Sequence, residues 1–507
     1  MSENGSGTSD DSPMSALPVN WAQALLGEIS EISPRFDSDN TDDNMEVTFL
    51  PMKAVEKMTG RFDGSATRRL GEVRKGYTFF KNGDLLFAKI TPCMENGKVV
   101  VVESLRNGIG FGSTEFHVIR LHESLPRKFF FFFLIREDLR KDAQRSMTGT
   151  AGQLRVPPSY MQQIRVPLPP IAEQYRIVSR IEELFTKLDA GVRSLETVEA
   201  QLKRYRQSVL KSAFEGKLTE EWRRTHRDEL EPASKLLERI KDERRKNVMG
   251  RYKEYPRIDT TSLPELPKGW IWTRMGEVIR IIDYRGRTPP FSSEGIPHLR
   301  SSNIRQGRIL WDNLEYVSEE TYSEYMTRGL PEKGDLLFTT EAPLGEVAFV
   351  PDQRFSVAQR MMILRPLKDV LDPKFLLYQI MSDRFQARLR GRGTGTTVTG
   401  VSSRNFRPLE LAICSIAEQR KVAEDVDRHL SVIDNVESVI PINLRHAENL
   451  RRSILRRAFE GKLTRQDPSD EPASVLLERI RSSKMQGVCY QETKRKSRND
   501  PKQPRLM

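Results

Sequence analysis

Ile171-Ala172-Glu173-Gln174 and Ala213-Phe214-Glu215-Gly216-Lys217-Leu218-Thr219 decide the architecture, because both stretches return unchanged at Ile416 to Gln419 and Ala458 to Thr464. Other matches keep the same order. Leu17-Pro18-Val19-Asn20-Trp21 answers Leu266-Pro267-Lys268-Gly269-Trp270, Gly83 to Phe87 (GDLLF) recurs at Gly334 to Phe338, and Glu231 to Ser234 recurs at Glu471 to Ser474. Offsets between 240 and 251 residues run through the series. The chain is therefore a tandem duplication, and a repeat at this scale fixes the architecture before any local reading does.

Within each copy, sequence between the LPxxW start and the IAEQ motif is mostly dissimilar, so one part is free to diverge while the other keeps a common job. The divergent part alternates short β-rich runs with turns, such as Gly97 to Val102 and Gly345 to Val350. Apolar helical stretches follow at Lys128 to Leu139 and Pro373 to Leu389; the first holds five consecutive phenylalanines, 129 to 133, which read as a buried helix. From Ile171 the spacing changes. Val178, Ile181, Phe185 and Leu188 begin a seam at three- and four-residue steps that runs toward Phe214, and Val422, Val426, Ile433, Ile454 and Phe459 repeat it. That spacing predicts two helices that pack on other helices, each about 65–70 Å long at 1.5 Å per residue. Gly216 and Gly461 stand where C-terminal caps belong. Pro441 should break or kink the second rod, because it lacks a backbone donor and its ring clashes with the preceding turn.

At 507 residues, with 37% hydrophobic and 30% charged, the chain exceeds what one core serves; the duplication supplies four folding units. No apolar run reaches about 18 residues, which argues against a bilayer span. The polar, acidic start has neither the basic nor the apolar region of a secretory signal and reads as a disordered leader. Cys93, Cys414 and Cys489 form neither a disulfide framework nor a metal spacing, so a reducing cytoplasm is the expected compartment. The net charge of +12 favours a polyanionic partner without proving one.

Catalytic signatures fail on inspection. Thr288-Pro289-Pro290-Phe291 resembles the base-holding loop of amino-methyltransferases but lacks its Asn or Asp, and reads as a turn. Gly108 to Gly112 and Gly391 to Gly400 are glycine-rich without the residues of a nucleotide site. No phosphate-binding lysine loop, metal cluster or nucleophile triad is recognisable, so no catalytic residue and no metal is assigned. A chain of this length without such a constellation reads as a recognition or assembly subunit. The polar loop before each rod is more promising. Arg145, Thr148, Thr150 and Arg155 line one; Arg390, Arg392, Thr394, Thr396, Arg404 and Asn405 line the other. Glycine allows close backbone approach, Thr hydroxyls bond phosphate oxygens, and Arg bonds phosphate or guanine in pairs. A solvated turn ending a helix is the alternative. Arg68, Arg69, Lys89 and Lys98 in the first domain, and Arg285, Arg287, Arg300, Asn303 and Arg360 in the second, complete the candidate DNA-binding set.

The ordered set LPxxW, GDLLF, TGT, IAEQ, AFEGKLT, present twice, resembles the specificity subunits of type I restriction-modification systems over residues 17–480. The resemblance implies two α/β (mixed α+β) target recognition domains alternating with two long antiparallel coiled-coil helical regions. The expected boundaries are 1–16 disordered leader, 17–168 first recognition domain, 169–245 central helical region, 246–265 linker, 266–414 second recognition domain, 415–482 distal helical region and 483–507 disordered basic tail. It further implies a non-catalytic subunit that reads a bipartite double-stranded DNA target, one half-site per domain, with the rods setting the spacer. Two methyltransferase subunits and two restriction/translocase subunits would join it, and S-adenosylmethionine, ATP and Mg2+ would be used by those partners, none by this chain. Competing expectations are a protein-assembly scaffold that reads no DNA, or a DNA methyltransferase in its own right.

Overall fold

A computed structural model describes residues 17–37, 41–150, 152–247, 255–284, 288–394 and 399–498. The expected leader at 1–16 lies outside them. The chain divides into two compact units: residues up to Ser194 with those from Asn443 onward, and Leu195–Ile442. Each unit therefore combines one domain, the first part of the long helix that follows it, and the last part of the other long helix.

In the first unit, a four-stranded antiparallel sheet runs in the order Ser30–Ile32, Phe116–Leu121, Leu85–Ala88, Val99–Val101. The GDLLF motif supplies its central strand. Successive side chains point to opposite faces, and both faces are covered, which is why the run is apolar throughout rather than alternating. Leu85, Phe87, Val99 and Ile119 meet the phenylalanine helix and the long helices, whereas Leu86, Ala88, Val100 and Val118 meet Leu50 and Phe80 of a second sheet. Asp84 pins the strand's start: its buried carboxylate accepts from the Lys81 amide (2.8 Å) and from Arg120 through Nε (2.9 Å) and Nη2 (2.8 Å). The second sheet has the order Thr67–Arg69, Glu46–Leu50, Ile109–Gly112, Thr78–Lys81, with one parallel pair between Glu46–Leu50 and Ile109–Gly112. Glycines 110 and 112 belong to that strand and let it lie against Phe80 and the Leu50 carbonyl, where a Cβ would stand 2.3 Å from either.

The second unit repeats the inner sheet in the same order: Ile279–Asp283, Met361–Pro366, Leu336–Thr339, Val347–Phe349. Its two faces divide in the same way, and Asp335 holds Arg365 as Asp84 holds Arg120, at 2.9 and 2.8 Å. The outer sheet differs. It has three strands, Glu315–Val317, Ile296–Leu299 and Ser356–Val357, beside a two-stranded ribbon, Ile304–Arg305 with Arg308–Ile309. Divergence between the copies thus concentrates away from the helices.

Each expected apolar helix is divided in two, Arg127–Leu134 with Glu137–Arg145 and Pro373–Met381 with Asp383–Gly391. Ser382 makes the second break by turning extended and accepting from the Phe385 amide, a standard N-cap. Phe129 to Phe133 are all buried; Phe129 and Phe133 pack on Phe459 with centroids 5.0 and 5.3 Å apart. Phe214 meets Phe375 likewise at 5.2 Å in the second unit.

The long helices are Ile171–Phe214 and Ile416–Phe459, 44 residues each. Contacts within each unit set them antiparallel. In the first, Asp189 pairs with Arg451 while Arg176, nearer the start, pairs with Asp470 past the end (3.2 Å); Arg451 also lies over the Phe185 ring at 4.5 Å. In the second, buried Arg206 reaches Asp434 (2.6 Å) and Glu437 (3.0 Å). Val178, Ile181, Phe185, Phe214, Val422, Val426, Ile433 and Phe459 are buried, with Leu188 and Ile454 partly so. Leu450, four residues before Ile454 and so on the same spacing, is exposed.

The expected break at Pro441 does not occur: the helix is continuous through it. Pro441 sits on an exposed stretch, where water can serve the carbonyl that proline leaves without its amide partner. Buried side chains anchor the rod on both sides, Ile433 and Ile440 before the proline and, about four turns on, Leu455, Ala458 and Phe459. Packing overrides the local propensity.

The identical motifs meet crosswise. Glu173 of the first copy accepts from Trp21 Nε1 (2.9 Å) and, from the second copy, Thr464 Oγ1 (3.3 Å) and Gln466 Nε2 (2.6 Å). Glu418 of the second copy accepts from Thr219 Oγ1 (2.9 Å) and Arg223 Nη1 (2.6 Å) of the first. Gly216 and Gly461 end the helices at φ +69°, with Lys217 and Lys462 donating back to Ser212 (2.9 Å) and Arg457 (2.8 Å), the Schellman arrangement. Each glycine lies against a proline of an LPxxW motif: a Cβ on Gly216 would stand 2.3 Å from Pro267, and one on Gly461 2.3 Å from Pro18. IAEQ, LPxxW and AFEGKLT are three parts of one clasp, and each clasp draws on both copies.

The tail is a further correction. Of the tail expected to be irregular over 483–507, the part to Arg498 continues the helix Ala473–Arg498, and residues 499–507 lie outside the described residues. Arg481 pairs with Glu28 (3.2 Å), and Lys484 donates to the Gly27 and Ser30 carbonyls (2.9 and 2.8 Å); the Gln, Glu, Lys and Arg residues beyond are good helix formers. No helix among the described residues is long and apolar enough to cross a membrane.

Candidate nucleic-acid interface

Each polar loop leaves a helix and closes on itself, the first turning on Thr148-Gly149. In the first domain Thr148 and Arg155 exchange backbone bonds of 3.0 and 2.9 Å, and Gln153 donates to the Thr150 carbonyl (2.9 Å). In the second, Thr394 and Gly400 exchange bonds of 2.9 and 3.0 Å. Thr148, Gly149, Thr150 and Thr394 are exposed. The closures spend interior backbone groups and leave the threonine hydroxyls facing water, the disposition a phosphate contact needs. Thr396, Arg285 and Arg287 lie outside the described residues.

The basic candidates separate into two kinds. Arg69, Arg145, Arg390 and Arg404 are exposed and have no side-chain partner among the described residues. Arg68 is exposed and held in place by rings, its guanidinium 4.0 Å above Phe49 and 5.9 Å from Tyr77. Its Nη1 reaches the Tyr77 hydroxyl at 3.5 Å, and a guanidinium stacked this way is pre-ordered and costs less order on binding. Lys89 is half-buried beside Glu115 and His117.

The remaining candidates are engaged internally. Arg155 makes a two-pronged bond to Glu115 at 2.9 Å for both contacts and holds that carboxyl below its usual range. Lys98 donates to the Met52 carbonyl (2.8 Å). Asn303 is buried, accepting from the Arg300 amide (3.0 Å) and donating to the Leu310 carbonyl (3.1 Å). Arg300 pairs with Glu315 (2.7 Å), Arg360 with Glu341 (3.3 Å) and Arg392 with Glu410 (3.1 Å). Asn405 reaches the Arg392 carbonyl at 3.5 Å. These groups shape the domains; Asn303 in particular has both amide hydrogens taken by the Leu310 and Asp312 carbonyls, and Arg155 has its Nε/Nη2 edge taken by Glu115.

Sequence reading passed over Arg35 and Lys75. Both are exposed without a partner among the described residues and line one cleft of the first domain with Phe36, Tyr77 and Phe79. The Pro34-Arg35-Phe36 and Lys75-Gly76-Tyr77 juxtapositions of cation and ring were visible, but 40 residues separate them. The Thr288-Pro289-Pro290-Phe291 stretch is a loop; Phe291 rests on His298 at 5.4 Å and the Thr288 carbonyl accepts from Tyr325 (3.1 Å).

Comparison with known proteins agrees with the duplication. A family described as the type I restriction modification DNA specificity domain matches residues 18–200 and again 267–444. The chain is 28% identical over 482 residues to the type I restriction enzyme EcoAI specificity subunit of Escherichia coli, covering 84% of this chain and 80% of that one. It is 24% identical over 505 residues to the EcoKI specificity subunit of Escherichia coli strain K12, covering 95% and 99%. Among solved structures, a chain from a study of complex assembly and conformational transition of the type I R-M system superposes with a TM-score of 0.65 at 20% identity, over 88% of this chain and 99% of that one. The HsdS subunit from Thermoanaerobacter tengcongensis gives 0.53 at 19%, over 88% and 98%. With both halves matched by the same domain family, and with a mixed α+β domain followed by a long helix in each, the chain belongs to the type I restriction-modification DNA specificity subunits.

Proposed function

We propose that this specificity subunit reads a bipartite duplex target, one half-site per domain, with the two long helices fixing the number of unread base pairs between them. The observation that carries the reading is the contrast inside each domain. The inner sheet beside the helices has the same strand order and the same buried aspartate in both copies, while the outer sheet changes from four strands to three plus a ribbon. A shared frame with a divergent outer part is what two readers of different sequences on one support require.

In this reading Arg69, Arg145, Arg390 and Arg404, with the Thr148–Thr150 and Thr394 loops, grip phosphates, and Arg68 with the outer-sheet residues faces base edges. The like-built helix pairs would dock two methyltransferase subunits, which two restriction/translocase subunits would join. S-adenosylmethionine, ATP and Mg2+ would serve those partners, and this chain would do no chemistry itself. Work on chromosomal DNA puts the complex in the cytoplasm.

The test is gel-shift titration with partner methyltransferase across a salt series, on duplexes whose two half-sites are scrambled in turn. Loss of selectivity from either scramble, with affinity falling steeply as salt rises, is the expected result. Assembly that ignores both DNA sequence and salt would reduce the chain to a scaffold. A matched heptad inserted in each long helix should lengthen the spacer by about 3 base pairs, since seven residues rise about 10.5 Å and a base pair about 3.4 Å. An unchanged spacer would contradict the ruler.

A further inference from the structure

The outer sheet of the first domain carries a row of rings, of which the reading of duplex edges uses Phe49 and Tyr77 only to hold Arg68 and leaves Phe36 and Phe79 without a role. Phe49 stands opposite Phe111, and Phe111 opposite Phe79, on three adjacent strands. Phe36 packs on Phe79 and Phe111 at 4.9 and 5.4 Å, and Tyr77 meets Phe49 edge-on at 5.0 Å. Phe111 is buried and supports the others; Phe36, Phe49 and Phe79 are partly exposed, and Tyr77 is 37% exposed. Phe36, Tyr77 and Phe79 open onto a cleft of about 660 Å³. Arg35, Lys75 and Lys89 line the same cleft, and no carboxylate does so among the described residues. Among the described residues the second domain has no matching row: of its three outer strands, Ile296–Leu299 and Ser356–Val357 bear no Phe, Tyr or Trp and Glu315–Val317 bears Tyr316 alone. The rings are therefore no requirement of the shared fold.

A duplex presents base edges and phosphates, and its base faces are covered by their neighbours. Ring faces bordered by unpaired cations suit the opposite ligand, a strand whose bases are unstacked, because every base has a face to stack and every phosphate a charge. We infer that this cleft of the first domain is a second nucleic-acid site, which binds single-stranded DNA by stacking bases on Tyr77, Phe36 and Phe79 and holding the backbone with Arg35 and Lys75.

Fluorescence anisotropy on the full chain, with a labelled short oligothymidylate and separately a non-specific duplex of equal length, tests this. Wild type should bind the single strand at low salt, and an abasic strand of equal charge should compete poorly. Tyr77→Ala should weaken single-strand binding about tenfold or more and leave binding of the non-specific duplex, which offers Arg68 no cognate base edge, within twofold, while Tyr77→Phe restores single-strand binding. Arg35→Ala with Lys75→Ala should flatten the single-strand salt slope by about 1.4, a readout that does not depend on the tyrosine variant. The inference is overturned if wild type ignores the oligothymidylate, if the abasic strand competes equally, or if Tyr77→Ala weakens strand and duplex alike. Loss of duplex selectivity with single-strand binding intact would count against the bipartite reading alone.

Discussion

Replacing Glu173 by alanine tests the clasp that joins the two copies. In the native chain its buried carboxylate accepts from Trp21, Thr464 and Gln466. Thr464 and Gln466 are partly or fully exposed and can turn to water, so each loses about 0.5–1 kcal/mol net. The Trp21 indole is 8% exposed; its orphaned N–H costs about 1–3 kcal/mol. Against this, burial holds the Glu173 carboxyl above its ordinary range, so its removal recovers part of a desolvation cost. The balance is a loss of about 2 kcal/mol, or roughly 30-fold in local opening, at about 1.4 kcal/mol per tenfold. Native-state hydrogen exchange read by mass spectrometry should show that loss of protection in peptides covering Leu17 to Leu25 and Ala458 to Glu471, with peptides of the second unit unchanged. Glu418→Ala should cost more, about 3 kcal/mol, because it strands the Arg223 guanidinium, only 16% exposed, beside Thr219. A change under about threefold, equal loss in both units, or the reverse order of the two variants would refute the reasoning.

Arg390→Ala and Arg404→Ala should each reduce the slope of log affinity against log salt for duplex DNA by about 1, measured by anisotropy; Asn303→Ala should instead lower thermal stability by about 1–2 kcal/mol, because its amide ties backbone. Pro441→Ala should leave the circular-dichroism helix content unchanged and raise the urea midpoint, since an exposed helix interior gains up to about 3 kcal/mol when proline is replaced by alanine. His298 is buried, and burial pushes its imidazole down from 6.5 to about 4. Its folded pKa is depressed, so its contribution is full above about pH 6.5 and is lost as pH falls toward 4, where the unfolded chain takes the proton first. Acid titration of stability should show a loss of about 2–3 kcal/mol over that window, absent in His298→Gln; a flat profile in wild type would exclude it.

Repetition made much of the fold legible before coordinates. The duplicated GDLLF runs are central strands buried on both faces, Gly216 and Gly461 are helix ends, and the phenylalanine run is core, because each is fixed by local chemistry the sequence states directly. What was not legible depends on partners far along the chain. Similarity shows that AFEGKLT and IAEQ occur twice but not which copy meets which, and the crossed pairing of Glu173 with Thr464 had no local signal. Basic residues were easy to name, yet Arg155 is spoken for by Glu115 and Asn303 by the Leu310 carbonyl, whereas Arg35 and Lys75, left out, share one open cleft. Pro441 misled as to a break, because propensity was weighed without the buried anchors that hold the rod before and beyond it.

The crossed clasp also orders the events of synthesis. Leu195–Ile442 holds every segment of the second unit, so that unit can close as soon as Ile442 has been made. The first unit, though its domain emerges earliest, waits for the chain from Asn443 onward to bring Thr464 and Phe459 to Glu173 and Phe129. At roughly 5–20 residues per second that delay is on the order of tens of seconds, during which the apolar faces of Phe129, Phe133 and Phe185 stand open. The domain translated first is the one completed last, and it is the one a chaperone would be expected to guard.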